Sequence, residues 1–378
     1  CPHGQYRPPS LRPMARPRSE AQTPSLTMFR FTLVLACLPL AIEEPIAPDW
    51  GRRIQWPAEG APEAREHAAF VVDSKFDRAV MLAGSGYAPY GSALDDAWAF
   101  DLQTHMWTEL ELAGDPLAAG GSQRIAAIDG GAYLYGGYGE GQQELGDLMQ
   151  LDFELSRVVV RKVEQVNPPP PRLLHAFACD TSGETFVVFG GAGQSGMLED
   201  TWIGNRTDAG VRWEPLESEV HPSARFGFSF AYDATLNRLI VCGGQVMPEN
   251  EEQMTMEVVR DLWALDFTAE EPTWTRLAEY TSEEFHGRRN PAFALDQRSG
   301  DLLIWGGTGD GSSALPDLYT VRTRVEGAPV ERLAQPDSIP TRASSFGVVD
   351  EARGRALFGF GNTGSGAFDD LVEIRLRR

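Results

Sequence analysis

The chain has 378 residues, a formal net charge of −21 and an isoelectric point near 4.7. A surface this acidic disfavours nucleic acid and anionic membranes as partners. Length alone suggests two or three domains, but internal repetition overrides that prior.

Residues 1–27 are rich in Pro, Arg and Ser, lack an apolar period and are expected to be a disordered leader or a mis-called start. The chain opens on Cys1, so Met14 and Met28 are both candidate starts. Residues 28–48 read as a signal peptide and linker. The basic Met28-Phe29-Arg30 is followed by twelve apolar-rich residues, Phe31 to Ile42, with small residues near a cut after Ala41. Twelve residues are too few to span the roughly 30 Å of a bilayer core as a helix. Ala36-Cys37 also matches, imperfectly, a lipoprotein cleavage site, which would place a lipid on Cys37. The expected location is therefore secreted, periplasmic or cell-surface. After such a cut only Cys179 and Cys242 remain, expected as buried free thiols and not as a disulfide framework.

From about residue 50 one pattern recurs six times. An apolar run closes on glycines at Gly84, Gly136, Gly190, Gly243, Gly306 and Gly359, in steps of 52, 54, 53, 63 and 53 residues. Each run is preceded by an Asp that opens a tight turn (Asp73, Asp129, Asp180, Asp233, Asp296, Asp350). Eight residues before that Asp stand Arg65, Arg172, Arg225, Arg288 and Arg342. The second copy fails, with Gly121 there. After the glycines a second Asp opens a strand (Asp96, Asp147, Asp200, Asp261, Asp317, Asp370), and a fourth strand often carries a Trp (Trp107, Trp213, Trp274). One repeat is thus four short strands: a after the Arg, b ending on the glycines, c after the second Asp, and d with the Trp. Helix content should be very low.

The pattern resembles the kelch repeat, also found in the central domain of galactose oxidase, and the resemblance covers about residues 50–377. It implies that each repeat is one blade of a β-propeller. The sixth repeat lacks a strand d, while Ile54-Gln55-Trp56-Pro57 has no strands a to c of its own. Residues 53–57 are therefore expected to complete the last blade, with Trp56 as its tryptophan. Residues 49–378 then form one all-β, six-bladed propeller.

Strand order puts the five repeated arginines around one mouth of the central channel. In kelch domains that bind anionic peptide motifs, arginines at this place line the pocket, and a guanidinium suits carboxylate or phosphate. The alternative is that each pairs with the strand-c Asp and pins the blades together. Arg124 and His175, five residues before their turn Asp, are further candidates for the channel. The long fourth b–c loop carries Glu249, Glu251, Glu252, Met254 and Glu257, a candidate partner loop whose spacing matches no compact Ca²⁺ cage. His175, His221 and His286 come from separate blades, and no local spacing makes them metal ligands. The Tyr–Cys and His set of the copper radical oxidases has no counterpart. Nor does the Glu, Asp and His segment of the iron-binding kelch proteins. There is no nucleophile elbow, P-loop, dinucleotide glycine motif or zinc cysteine pair. No cofactor or metal is expected. The expectation is a monomeric binding module for a protein, peptide or glycan partner with anionic character. The alternatives are a periplasmic sugar-acid enzyme of the mutarotase or epimerase type, and a purely structural surface module.

Overall fold

The computed structural model describes residues 49–57, 59–86, 92–248, 256–269, 271–311 and 313–377. The leader, the signal-peptide segment with Cys37, and Glu249, Glu251, Glu252 and Met254 lie outside these residues. Among the described residues the chain is strand and loop throughout, with one short 3₁₀ turn, Glu140–Gln142.

The four-stranded repeat is visible in the pairing. In blade 1, Ala69–Asp73 (a) pairs antiparallel with Arg78–Gly86 (b), which pairs with Ala93–Asp101 (c), which pairs with Trp107–Gly114 (d). The same order holds through Ser229–Asp233, Arg238–Cys242, Asp261–Asp266 and Thr273–Glu279 in blade 4. The a–b turns follow from their Asp. Asp73, Asp180, Asp233, Asp296 and Asp350 accept backbone amides two to four residues on.

Apolar side chains on both faces of each blade bury themselves against the next blade. The six buried clusters correspond one to one with the six junctions, from Val80, Leu82, Leu134 and Leu151 between blades 1 and 2 to Phe70, Met81, Phe346 and Leu357 between blades 6 and 1. Each innermost strand a touches the next, and Phe346–Asp350 touches Ala69–Asp73.

Blades are also fastened by backbone. The second glycine of each blade donates its amide to the carbonyl at the arginine position of the following blade. The links are Gly137 to Arg172, Gly191 to Arg225, Gly244 to Arg288, Gly307 to Arg342 and Gly361 to Arg65, at 2.8–3.2 Å. The equivalent bond from Gly84 goes to Gly120 at 2.7 Å, so Gly120, not Gly121, stands where the arginine is missing. The diglycine is explained by the same geometry. Both positions have positive φ, and a Cβ on the second would sit 2.6 Å from Leu173 O at Gly191 and 2.4 Å from Ala343 O at Gly361. In blades 1 and 6 the first position carries a side chain, Ala83 (φ 56°) and Phe360 (φ 55°), whereas in blade 5 a Cβ on Gly306 would sit 2.3 Å from Arg342 O.

The last blade is completed by Asp49–Ile54, paired with Leu371–Arg375 from Asp49↔Arg375 to Ile54↔Leu371. This corrects the expected span of 53–57. It also changes the tryptophan. Trp50 faces Ile374 and, beyond it, Ala356, the register in which Trp107 faces Phe100 and Ala79. Trp50 is therefore the strand-d tryptophan of blade 6. Trp56 instead packs at the blade 6–blade 1 junction against Phe100, Trp107 and Phe360. Outer edges also pair in parallel: the outer strand Arg157–Val163 of blade 2 runs alongside Trp107–Gly114 of blade 1, and Gln165–Val166 runs alongside Gly210–Pro215 of blade 3.

Candidate functional site

The five repeated arginines each stand four residues before a strand a, and all are buried, at 0–1% exposure. Each reaches inside its own blade. Arg65 bonds Asp96 at 2.5 and 2.8 Å, Arg172 bonds Asp200 at 2.7 and 2.9 Å, and Arg225 bonds Asp261 at 2.6 and 2.8 Å. Arg288 and Arg342 hold Asp317 and Asp370 at 2.7 and 2.6 Å. Every one also donates to the carbonyl at the first-glycine position (Ala83, Gly190, Gly243, Gly306, Phe360) and, through Nε, to a carbonyl two residues upstream. Burial opposes ionisation of Asp96, Asp200, Asp317 and Asp370, but the arginine charges and hydrogen bonds outweigh it and hold all four below the usual carboxylate range. These guanidiniums are therefore engaged as buried ion pairs tying the segment that leads into strand a to the b–c corner of the same blade. The blade-to-blade link is made by their backbone carbonyls.

Arg124 is different. It faces Tyr135 across the strand pair, the register held in the other blades by Ala69, Ala176, Ser229, Ala292 and Phe346. Its guanidinium lies over the rings of Phe230 and Phe293, at 5.4 and 6.0 Å, on blades 4 and 5 across the axis. Nε donates to His175 O at 3.1 Å, and no carboxylate bonds it among the described residues. Desolvation lowers its pKa to about 10, which leaves it cationic at neutral pH.

Arg124 lines a central cavity of about 370 Å³. The walls come from every strand a, including Phe70, Phe177, Phe230, Phe293 and Phe346, and the cavity extends to the a–b turn residues Thr181, Ala234 and Gln297. At its other end six residues with φ between 50° and 63° form an annulus: His67, Ser122, Leu174, Gly227, Asn290 and Ser344. Their backbones are linked around the axis by Ser122 N to His67 O, His67 N to Ser344 O, Ser344 N to Asn290 O, Asn290 N to Gly227 O and Gly227 N to Leu174 O. Arg124 and His175 stand beside the remaining junction.

Polar atoms without protein partners gather in this region: Ser122 Oγ, Gln123 Oε1, both ring nitrogens of His175, Ser229 Oγ and Asn290 Oδ1. A buried polar group left unpaired costs about 1–3 kcal/mol; of these residues Gln123 lines the cavity, while Ser122, His175, Ser229 and Asn290 belong to the annulus and the segments beside it. Burial, reinforced by Arg124, pushes His175 well below its ordinary value and His67 down to about 4. Both are neutral at pH 7, which leaves Arg124 as the positive charge of the chamber.

The other candidates do not join it. Glu257 is exposed in the two-residue strand Glu257–Val258, paired with Gln245–Val246. His221 Nδ1 contacts Pro222 O and His286 Nδ1 contacts Asp317, so neither meets His175. No three His, Cys, Asp or Glu side chains come together as a metal set among the described residues. Sequence reasoning missed His67, Gln123, Phe230 and Phe293. The available signal was Arg124 itself, one long cation in a register otherwise small or aromatic.

Residues 50–232 match the KLHDC2/KLHL20/DRC7 Kelch-repeats domain. The chain is 26% identical over 257 residues to Adagio-like protein 1 of Oryza sativa subsp. japonica, covering 64% of this chain and 39% of that protein. It is 24% identical over 251 residues to Adagio protein 3 of Arabidopsis thaliana, covering 65% and 39%. The match thus spans about two fifths of these curated relatives. The solved structure of YjhT superposes with a TM-score of 0.62 at 16% identity, covering 84% of this chain and 97% of that one, and shares its fold.

Proposed function

The chain belongs to the kelch-repeat family, and we propose that it is a protein-interaction module whose central chamber receives an anionic group of its partner at Arg124. The observation carrying this reading is a half-buried guanidinium that lines the central cavity over two phenylalanine rings and has no carboxylate partner among the described residues, in a chain of net charge −21. A cation kept free of the many available carboxylates is a cation reserved for something else. The phenylalanine wall supplies apolar contact beside it.

The test is fluorescence polarisation of the full chain with labelled acidic decapeptides and their amidated, neutral counterparts. Acidic peptides should bind selectively, and Arg124→Met should weaken them roughly 10–100-fold, the size of a lost charge-assisted hydrogen bond. Equal binding of neutral peptides, or an unaffected variant, overturns the proposal.

The cavity volume of about 370 Å³ also suits a small ligand, which favours a sugar acid as the second reading. A panel of sugar acids in the same assay, competing with the peptides, separates the two. Export remains part of the proposal, supported by the composition of residues 28–48. N-terminal sequencing of the mature protein from the extracellular or periplasmic fraction tests it, and an uncleaved, retained chain refutes it.

A further inference from the structure

Blade 2 lacks the buried arginine, yet keeps what holds it elsewhere. Three acceptors surround the guanidinium in the other blades: a carbonyl two residues upstream, the first-glycine carbonyl and the strand-c carboxylate. Their blade-2 counterparts are Ala118 O, Gly136 O and Asp147, and all three residues line one cleft of about 170 Å³. Leu117, Leu134 and Met149 in its walls suit an aliphatic stem.

The acceptors are under-used. Gly136 O accepts no hydrogen bond among the described residues, whereas Ala83, Gly190, Gly243, Gly306 and Phe360 each accept one from their arginine. Ala118 O accepts a long bond, 3.3 Å, from Gln123 Nε2. Gln123 lines the same cleft at 5% exposure, and its Oε1 has no partner.

Asp147 does hold Lys162 Nζ at 2.9 Å, but this does not exclude a second cation. Lys162 faces Met149, two residues after Asp147, as Arg332 faces Tyr319 and Arg53 faces Val372. In those two blades the carboxylate binds the strand-d cation and the buried arginine together: Asp317 holds Arg332 and Arg288, and Asp370 holds Arg53 and Arg342. Asp147 has only the first of the two. The backbone cannot supply the missing side chain, because a Cβ on Gly120 (φ +153°) would lie 1.8 Å from Tyr138 O. The cleft is reachable from solvent, since Asp147 and Lys162 are 56% and 54% exposed.

We infer that this cleft is a binding site for a guanidinium supplied from outside, the arginine side chain of a partner peptide. The five filled copies in the same chain define the ligand chemistry: a planar fork that bridges a carbonyl and a carboxylate, which an ammonium does not reproduce. The cleft shares Gln123 with the wall of the central chamber, but Arg124 itself does not line it.

The test is calorimetric titration of the full chain with N-acetylarginine methylamide and its lysine counterpart. The arginine probe should bind saturably, and at least tenfold more tightly than the lysine probe. Asp147→Asn should weaken it at least tenfold with the melting temperature retained. Lys162→Met, which removes a competing cation, should keep or tighten binding. No saturable binding, equal binding of the lysine probe, or indifference to Asp147→Asn overturns the inference. Arg124→Met must leave arginine binding unchanged. Loss there would assign the probe to the chamber and refute the cleft, while leaving the Arg124 proposal standing.

Discussion

Replacing Arg342 by Met isolates the worth of one buried pin. Arg342 and Asp370 are both at 0% side-chain exposure. The change removes bonds of 2.6 and 3.4 Å to the carboxylate and 3.3 Å to Phe360 O, and strips a guanidinium from the faces of Trp305 and Phe368. Breaking a buried pair from one side costs about 3–5 kcal/mol, because the remaining charge stays desolvated. Arg53 still touches Asp370, which places the expectation near the lower end, about 3 kcal/mol. With an unfolding entropy of about 2.1 cal/mol/K per residue over roughly 330 residues, that is a fall in Tm of about 4 °C. Scanning calorimetry at pH 7 measures it, alongside Lys162→Met, which breaks an exposed pair and should cost about 0–1 kcal/mol. Arg342→Met with Asp370→Leu should recover part of the loss, since the orphaned charge goes too. A Tm shift for Arg342→Met no larger than for Lys162→Met would refute the claim that these buried ion pairs stabilise each blade from within.

His67 has its folded pKa lowered to about 4 by burial and by Arg124, so its contribution to stability is complete above its ordinary 6.5 and is lost as pH falls from 6.5 toward 4. His67→Asn, which tolerates the positive φ, should lose less stability than wild type between pH 7.5 and 5 in urea melts; parallel losses would contradict this. Removing residues 49–54 should expose Leu371–Arg375 as an edge and abolish its hydrogen-exchange protection, which persistent protection would disprove. Cys179 and Cys242 are pushed up to about 12 by burial, so both should resist thiol reagents until unfolding; fast modification of the native protein would be inconsistent with their placement.

Much of this was legible in the chain. The period of the glycine-closed runs announces the repeat, and the constant spacing of Arg and Asp announces a paired structure. What stayed hidden was register. Ala83 and Phe360 take the place of first glycines in blades 1 and 6, so counting from Gly84 and Gly359 misplaces those blades by one. Trp56 read as the strand-d tryptophan because it stands nearer the first Arg, whereas antiparallel pairing selects Trp50. Arg124 meeting Phe230 and Phe293 depends on how far apart the blades sit across the axis, which no local pattern encodes. The missing arginine of blade 2 was visible, but its meaning needed the three acceptors that remain.

The fastening of one blade to the next is made of the same backbone bond at every junction, including the one between Gly361 and Arg65. No junction is privileged by the peptide chain itself. The interruption between Leu376 and Asp49 then costs none of these bonds. A permuted protein, with Leu376 joined through a short linker to Asp49 and new ends opened between strands d and a of another blade, would keep every inter-blade bond described. The opposite holds for subtraction. Excising one repeat leaves a glycine amide and an arginine-position carbonyl a whole blade apart, so this architecture can be re-cut anywhere but not shortened by degrees.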